Sequence, residues 1–109
     1  MKELSAKKCV PCEGGVKPLT RTQAGVLRKQ LHADWKLSQD AKSLRRALKF
    51  KDFYRTMSFV NAVAHIANTE DHHPDLEIGY NYCRITYSTH SIGGLSQNDF
   101  ICAAKIDRL

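Results

Sequence analysis

Two histidines stand side by side in the stretch EDHHPD, His72 and His73, with acids on both sides and Pro74 after them; a third, His90, follows in STH. Imidazole has an ordinary pKa of about 6.5, so acid and base forms coexist near neutrality and the ring can pass protons to and from a reacting group. Neutral imidazole also binds zinc, and Asp71 or Asp99 could complete such a ligand set. Adjacent histidines, however, rarely turn both rings toward one ion. The plainest alternative is a solvated loop after a helix. The surrounding elements must decide between them.

Upstream of the pair, Asp52 can cap a helix in which Phe53, Met57, Val60, Ala64 and Ala67 recur on one face, widened by Phe59, Val63 and Ile66. The pattern fades at Asn68, and Pro74 disfavours helix at His73, so the pair is expected just beyond the helix end. His65 reads as helix surface. Downstream, LEIGYNYCRITYST is rich in strand formers and broken near Gly79 to Asn81, consistent with two short strands or one bent ribbon. Cys83, Ile85, Tyr87 and Thr89 should share one face, with Tyr82, Arg84, Thr86 and Ser88 on the other. His90 then falls at a strand end before a Gly-Gly turn. Ser96 and Asp99 form a capping-box pattern that opens a last helix carrying Phe100, Ile101, Ala103, Ala104 and Ile106.

Earlier in the chain, Leu27 and Leu31 suggest a short amphipathic helix from Thr20 to about His32, and Asp34-Trp35 opens a connection. SLRRALKF is ambiguous: Leu44 and Leu48 suit a helix, while Leu44, Leu48 and Phe50 also share one face of a strand. Residues 1–18, with Pro11, Gly14, Gly15 and Pro18, read as a flexible N-terminal arm, leaving 19–109 as the folded domain.

The 109 residues suit a single domain, since chains of this size bury roughly two-thirds of their unfolded surface. With 42% hydrophobic and 26% charged residues and no long apolar run, neither disorder nor a membrane span is expected. Lysines near the start are not followed by an apolar stretch, which argues against a secretory signal and for a cytoplasmic protein with reduced thiols. Cys9 and Cys12 form a CxxC, but Cys83 and Cys102 are spaced wrongly for a second zinc knuckle, and the EGGVKP that follows does not resemble a redox helix. Residues 1–51 hold 13 Lys and Arg against 4 Asp and Glu, whereas 52–109 hold 4 against 7. The basic half admits a polyanion surface, yet no nucleic-acid module is visible, and nucleic acid is not expected as a partner.

EDHHPD, YNYCRITYSTH and GGLSQND, with the upstream DW and LRRALKFKDFYRTMSFVNAVAHIA, closely resemble the pterin-4a-carbinolamine dehydratase family, also called the dimerisation cofactor of a homeodomain transcription factor. The resemblance covers about residues 33–107. It implies an α+β domain in the order α-β-β-α-β-β-α, with a four-stranded antiparallel sheet carrying helices on one face, and it makes SLRRALKF a strand. It also implies a homo-oligomer, dimer or tetramer.

The family reaction removes water from a 4a-hydroxytetrahydropterin to give quinonoid dihydropterin, within tetrahydropterin recycling beside an aromatic amino-acid hydroxylase such as phenylalanine hydroxylase. Expelling hydroxide from C4a calls for an acid, and forming the C=N bond calls for a base at N5; such groups typically supply ~10²–10⁴-fold. By resemblance, His73 and His90 do this work, and His72 binds the pterin or polarises its hydroxyl. Pterin is the substrate, and no cofactor or metal is implied. Pro74 would hold the histidines out of the helix, and Thr89 and Asp99 match positions near the site, although capping alone explains Asp99. Some members carry an acid where this chain has Asn68; Glu70 or Asp71 could substitute, or Asn68 could bond the pterin amide edge itself. A non-catalytic binding or dimerisation module, or a transcriptional regulator of hydroxylase expression, is the alternative.

Overall fold

In a computed structural model the described residues are 3–11 and 16–109. Helix α1 spans Arg21–Arg28, strand β1 Lys36–Leu37, β2 Leu44–Lys49, helix α2 Phe53–Glu70, β3 Asp75–Ile78, β4 Tyr82–Tyr87 and helix α3 Gln97–Ile106, with single 3-10 turns at Leu4–Ala6 and His90–Ile92. The sheet order is β1-β2-β4-β3, every neighbouring pair antiparallel. This is the expected α-β-β-α-β-β-α order. Among the described residues no helix is long and apolar enough to cross a membrane.

The ambiguous SLRRALKF segment is strand β2, and its register shows why. Leu44, Arg46 and Leu48 lie opposite Tyr87, Ile85 and Cys83 of β4, so alternation places the two leucines on the covered face. The cost falls on Arg46, which shares that face. Its Nη1 donates to Asp107 Oδ1 at 2.6 Å, both side chains largely buried. Asp107 also accepts from Trp35 Nε1 at 2.8 Å and from the His32 backbone at 2.9 Å. Trp35, at the start of the supposed connection, is thereby a fully buried core residue.

On β4 the alternation is as read: Cys83, Ile85 and Tyr87 are fully buried, Tyr82, Arg84 and Thr86 only half so. The β3–β4 segment is two strands joined by a tight turn, closed by Gly79 N donating to Tyr82 O at 3.0 Å. A Cβ at Gly79 would stand 2.0 Å from the Tyr82 ring.

Helix α2 begins at the Asp52 cap, whose side chain accepts from Arg55 N at 2.9 Å. Its buried positions are Thr56, Val60, Val63 and Ala67, with Met57, Phe59 and Ile66 packed against the core; this is the expected face except that Thr56 is buried and Phe53 is 48% exposed. Thr56 is tolerated inside because its hydroxyl meets the carbonyls of Asp52 and Tyr80 at 2.9 and 3.0 Å. The helix runs two residues past Asn68 and ends where Asp71 turns left-handed (φ 51°), with Ala67 O accepting from both Asp71 N and His72 N.

The arm is not loose along residues 3–11. Leu4 is buried, Lys105 Nζ donates to Ser5 O at 2.9 Å, and Cys9 N donates to Glu70 Oε1 at 2.9 Å. The reason lies in α3, where every residue from Asn98 to Ala104 is buried. A helix apolar all round must be covered on both sides. The other core elements cover part of it, and the arm takes the remainder.

Candidate active site

The left-handed turn at Asp71 throws His72 out of α2 toward the end of β4 and the start of α3. There His72 Nε2 donates to Asp99 Oδ1 at 2.6 Å. Asp99 is fully buried, and its other oxygen accepts from Ser96 N at 2.9 Å and from the Thr89 hydroxyl at 2.8 Å. The Ser96 hydroxyl, 2.7 Å from that of Thr89, completes the chain of bonds. Each oxygen of this buried carboxyl group is thus met by a donor. The capping role that the sequence explains for Asp99 and its contact with His72 are therefore two uses of one side chain.

Across its other face the His72 ring stacks on Tyr87, centroids 5.4 Å apart and planes 11° from parallel. Burial by itself disfavours the charged imidazole, but the hydrogen bond and charge of Asp99, with smaller help from Cys102 and Asp71, outweigh it and hold the His72 pKa above the usual histidine range. Burial pushes the Tyr87 hydroxyl well above the usual tyrosine range, so it stays protonated.

His72 opens on a cleft of about 390 Å³ whose walls include Glu70, Asp71, Thr89, Ser91 and Asn98, with Cys9, Val10 and Pro11 of the arm along one side. Such a volume suits a small polar molecule, since ligand pockets commonly run ~300–1,000 Å³. The arm is clamped there: Val10 N donates to Asn98 Oδ1 at 3.0 Å, and Asn98 Nδ2 donates back to Val10 O.

The expected site residues divide into four groups. Glu70, Asp71, His72 and Thr89 line the cleft, with Asp99 buried beneath them. His73 and Asn68 are exposed and bonded to each other, His73 Nε2 donating to Asn68 Oδ1 at 3.0 Å, and neither is in the cleft lining. His90 is exposed on the 3-10 turn between two lining residues, Thr89 and Ser91. Pro74, half-buried, follows the pair directly. Sequence reasoning missed Cys9, Val10, Pro11, Ser91 and Asn98; the run Phe100 to Ala104, apolar on every side of a helix, was the sequence signal that something had to lie over it. Among the described residues no three His, Cys, Asp or Glu side chains converge as a metal site, and Cys12 lies outside those residues.

A family model described as "Pterin 4 alpha carbinolamine dehydratase" matches residues 17–109. The chain belongs to the pterin carbinolamine dehydratase family. A relative from Nitrosomonas eutropha, named "Putative pterin-4-alpha-carbinolamine dehydratase", is 56% identical over 107 residues, 98% of this chain and 93% of its own. One of the same name from Legionella pneumophila strain Corby is 54% identical, covering 98% and 95%. A crystal structure of a "transcriptional coactivator/pterin dehydratase" from Brucella melitensis superposes with a TM-score of 0.79 at 29% identity, over 84% of this chain and 97% of that one. The dehydratase family model begins at residue 17, so the Cys9 to Pro11 wall of the cleft precedes the matched segment.

Proposed function

We propose that this protein removes water from a 4a-hydroxytetrahydropterin, giving the quinonoid dihydropterin, by histidine acid–base chemistry. The observation that carries the reading is His72 on the wall of a polar cleft, its side chain 13% exposed and bonded to a fully buried carboxylate. Hydroxide leaves C4a more easily when the oxygen is polarised or protonated, and the C=N bond forms when a base takes the N5 proton. His72, whose pKa Asp99 raises, offers Nδ1, the ring nitrogen not bonded to Asp99, to the pterin or its departing hydroxyl. By the family resemblance His73 and His90 take the remaining proton transfers; both are exposed, one residue along the chain from the cleft lining, and must turn toward it to do so.

Pterin recognition falls to the carboxylate of Asp71 more than to Glu70, whose Oε1 already accepts from Cys9 N and whose Oε2 lies 3.9 Å from Lys105 Nζ. Asn68, where some family members carry an acid, orients the His73 ring, and Thr89 holds Asp99 in place. Pro74 restricts the backbone of His73. The product returns to an aromatic amino-acid hydroxylase, phenylalanine hydroxylase being the one the family suggests. A homo-oligomer is supported by exposed Phe53, Tyr54, Ile78 and Tyr80 and by β3 lying at a sheet edge, features that self-association would cover.

The test is the decay of enzymatically generated 4a-hydroxytetrahydropterin, followed by ultraviolet absorbance. The wild type should accelerate decay, and His73→Ala and His90→Ala should each lose most of that acceleration. A folded wild type that matches the buffer rate would sink the reading.

A further inference from the structure

The dehydratase chemistry uses His72 and Asp99 and leaves unused a pair of sulfurs next to them. Cys9 Sγ lies 3.5 Å from Cys102 Sγ, though the residues are 93 positions apart. The approach is built: the hydrogen bonds from Cys9 N to Glu70 and from Val10 N to Asn98 tie the arm to the end of α2 and to α3 at this point. Cys102 is fully buried, while Cys9 is half-buried and lines the cleft, so a small oxidant entering the cleft meets Cys9 first and reaches the Cys102 sulfur behind it as the arm carrying Cys9 shifts. Cys9 belongs to no helix or strand and can shift; the sulfurs need to close by about 1.5 Å to reach the ~2.05 Å of an S–S bond.

The two thiols also share a proton unequally. The Cys102 pKa is lowered, chiefly by the hydrogen bond from Cys9 and then by Tyr87 and His72, against the effect of burial, and the Cys9 pKa is raised by the same partnership. Thiolate character is what makes a cysteine nucleophilic. Cys83 is the contrast, a buried thiol whose pKa burial raises.

We propose that Cys9 and Cys102 are a peroxide-reactive dithiol that closes to a reversible disulfide, pinning the arm to α3 beside the cleft. The deprotonated sulfur attacks one oxygen of a hydroperoxide; the O–O bond breaks, the departing alkoxide takes a proton, and a sulfenic acid remains. The second sulfur attacks the sulfenic sulfur, the S–O bond breaks, and hydroxide leaves with the second thiol's proton as water. Two electrons pass from the sulfurs to the peroxide, and the products are a disulfide, an alcohol (water, for hydrogen peroxide) and water. This inference stands independently of the dehydratase reading.

The experiment treats the reduced full-length protein with stoichiometric hydrogen peroxide, alkylates the remaining thiols under denaturing conditions, and maps peptides by mass spectrometry. The expected result is one intramolecular link joining the Cys9 and Cys102 peptides, with Cys83 alkylated, reversal by dithiothreitol, and the same link in Cys12→Ser. Because the link closes most of the chain into one loop, the oxidised form should melt higher by roughly 10 °C. Cys9→Ser should keep the melting temperature of the reduced protein and give no link to Cys102. All thiols surviving, or Cys9 joined to Cys12 as the CxxC spacing alone would favour, overturns the proposal.

Discussion

His72 Nε2 and Asp99 Oδ1 lie 2.6 Å apart, and the same carboxylate caps the helix that follows through Ser96 N. One buried charge thus ties the histidine pair, the end of β4 and the start of α3 together, so stability and site chemistry should change together when it is removed.

Asp99→Asn should lower the His72 pKa toward the ordinary histidine value and cost about 1–3 kcal/mol of stability. The sign follows from the raised folded pKa of His72. The stabilisation is full below the unfolded pKa, about 6.5, and disappears as pH rises through the folded value. Urea denaturation at about pH 6 and about pH 9 should therefore show the larger deficit at the lower pH. In turnover, the alkaline limb of the pH–rate profile should move to lower pH. An unmoved limb would remove His72 from the mechanism.

Asn68→Ala should release the His73 ring from its 3.0 Å partner and lower kcat by about tenfold with little change in melting temperature, because both residues are exposed. Asn68→Asp, which keeps the acceptor oxygen, should retain most of the rate. Steady-state kinetics on the two variants separates ring orientation from a general loss of structure.

Asn98→Ala removes both bonds to Val10 and should loosen the arm wall of the cleft. The expected signature is a KM raised several-fold with kcat nearly kept, together with faster hydrogen exchange at the Val10 amide. A fall in kcat alone would mean that the arm is not a wall for the substrate.

Asp107→Ala strands the Arg46 guanidinium on the covered face of the sheet, and breaking such a pair typically costs about 3–5 kcal/mol. Arg46→Met combined with Asp107→Ala should recover much of that loss, because a buried pair is often replaceable by apolar packing. Equilibrium urea unfolding of the two single variants and the double gives the coupling directly. A double variant no better than Asp107→Ala would move the weight to the Trp35 bond.

What could be read from the sequence was local. The Asp52 cap, the alternation from Cys83 to Thr89, the Ser96–Asp99 capping pattern and the ejection of the histidine pair before Pro74 all arise from sterics and hydrogen bonds within a few residues. The family motif spans such local signals, and so the fold order was legible. The tertiary structure alone decided that Thr56 and not Phe53 is buried on α2, where Tyr80 O, 24 positions along, meets the threonine hydroxyl. It alone set Arg46 and Trp35 on Asp107, and Asp99 against His72, across separations from 27 to 72 residues. The arm against α3 is the same case, Cys9 meeting Cys102 across 93 positions. Periodicity shows that a face must be covered, but the partner that covers it is chosen by packing and by the pairing of buried polar groups, which no window of neighbouring residues contains.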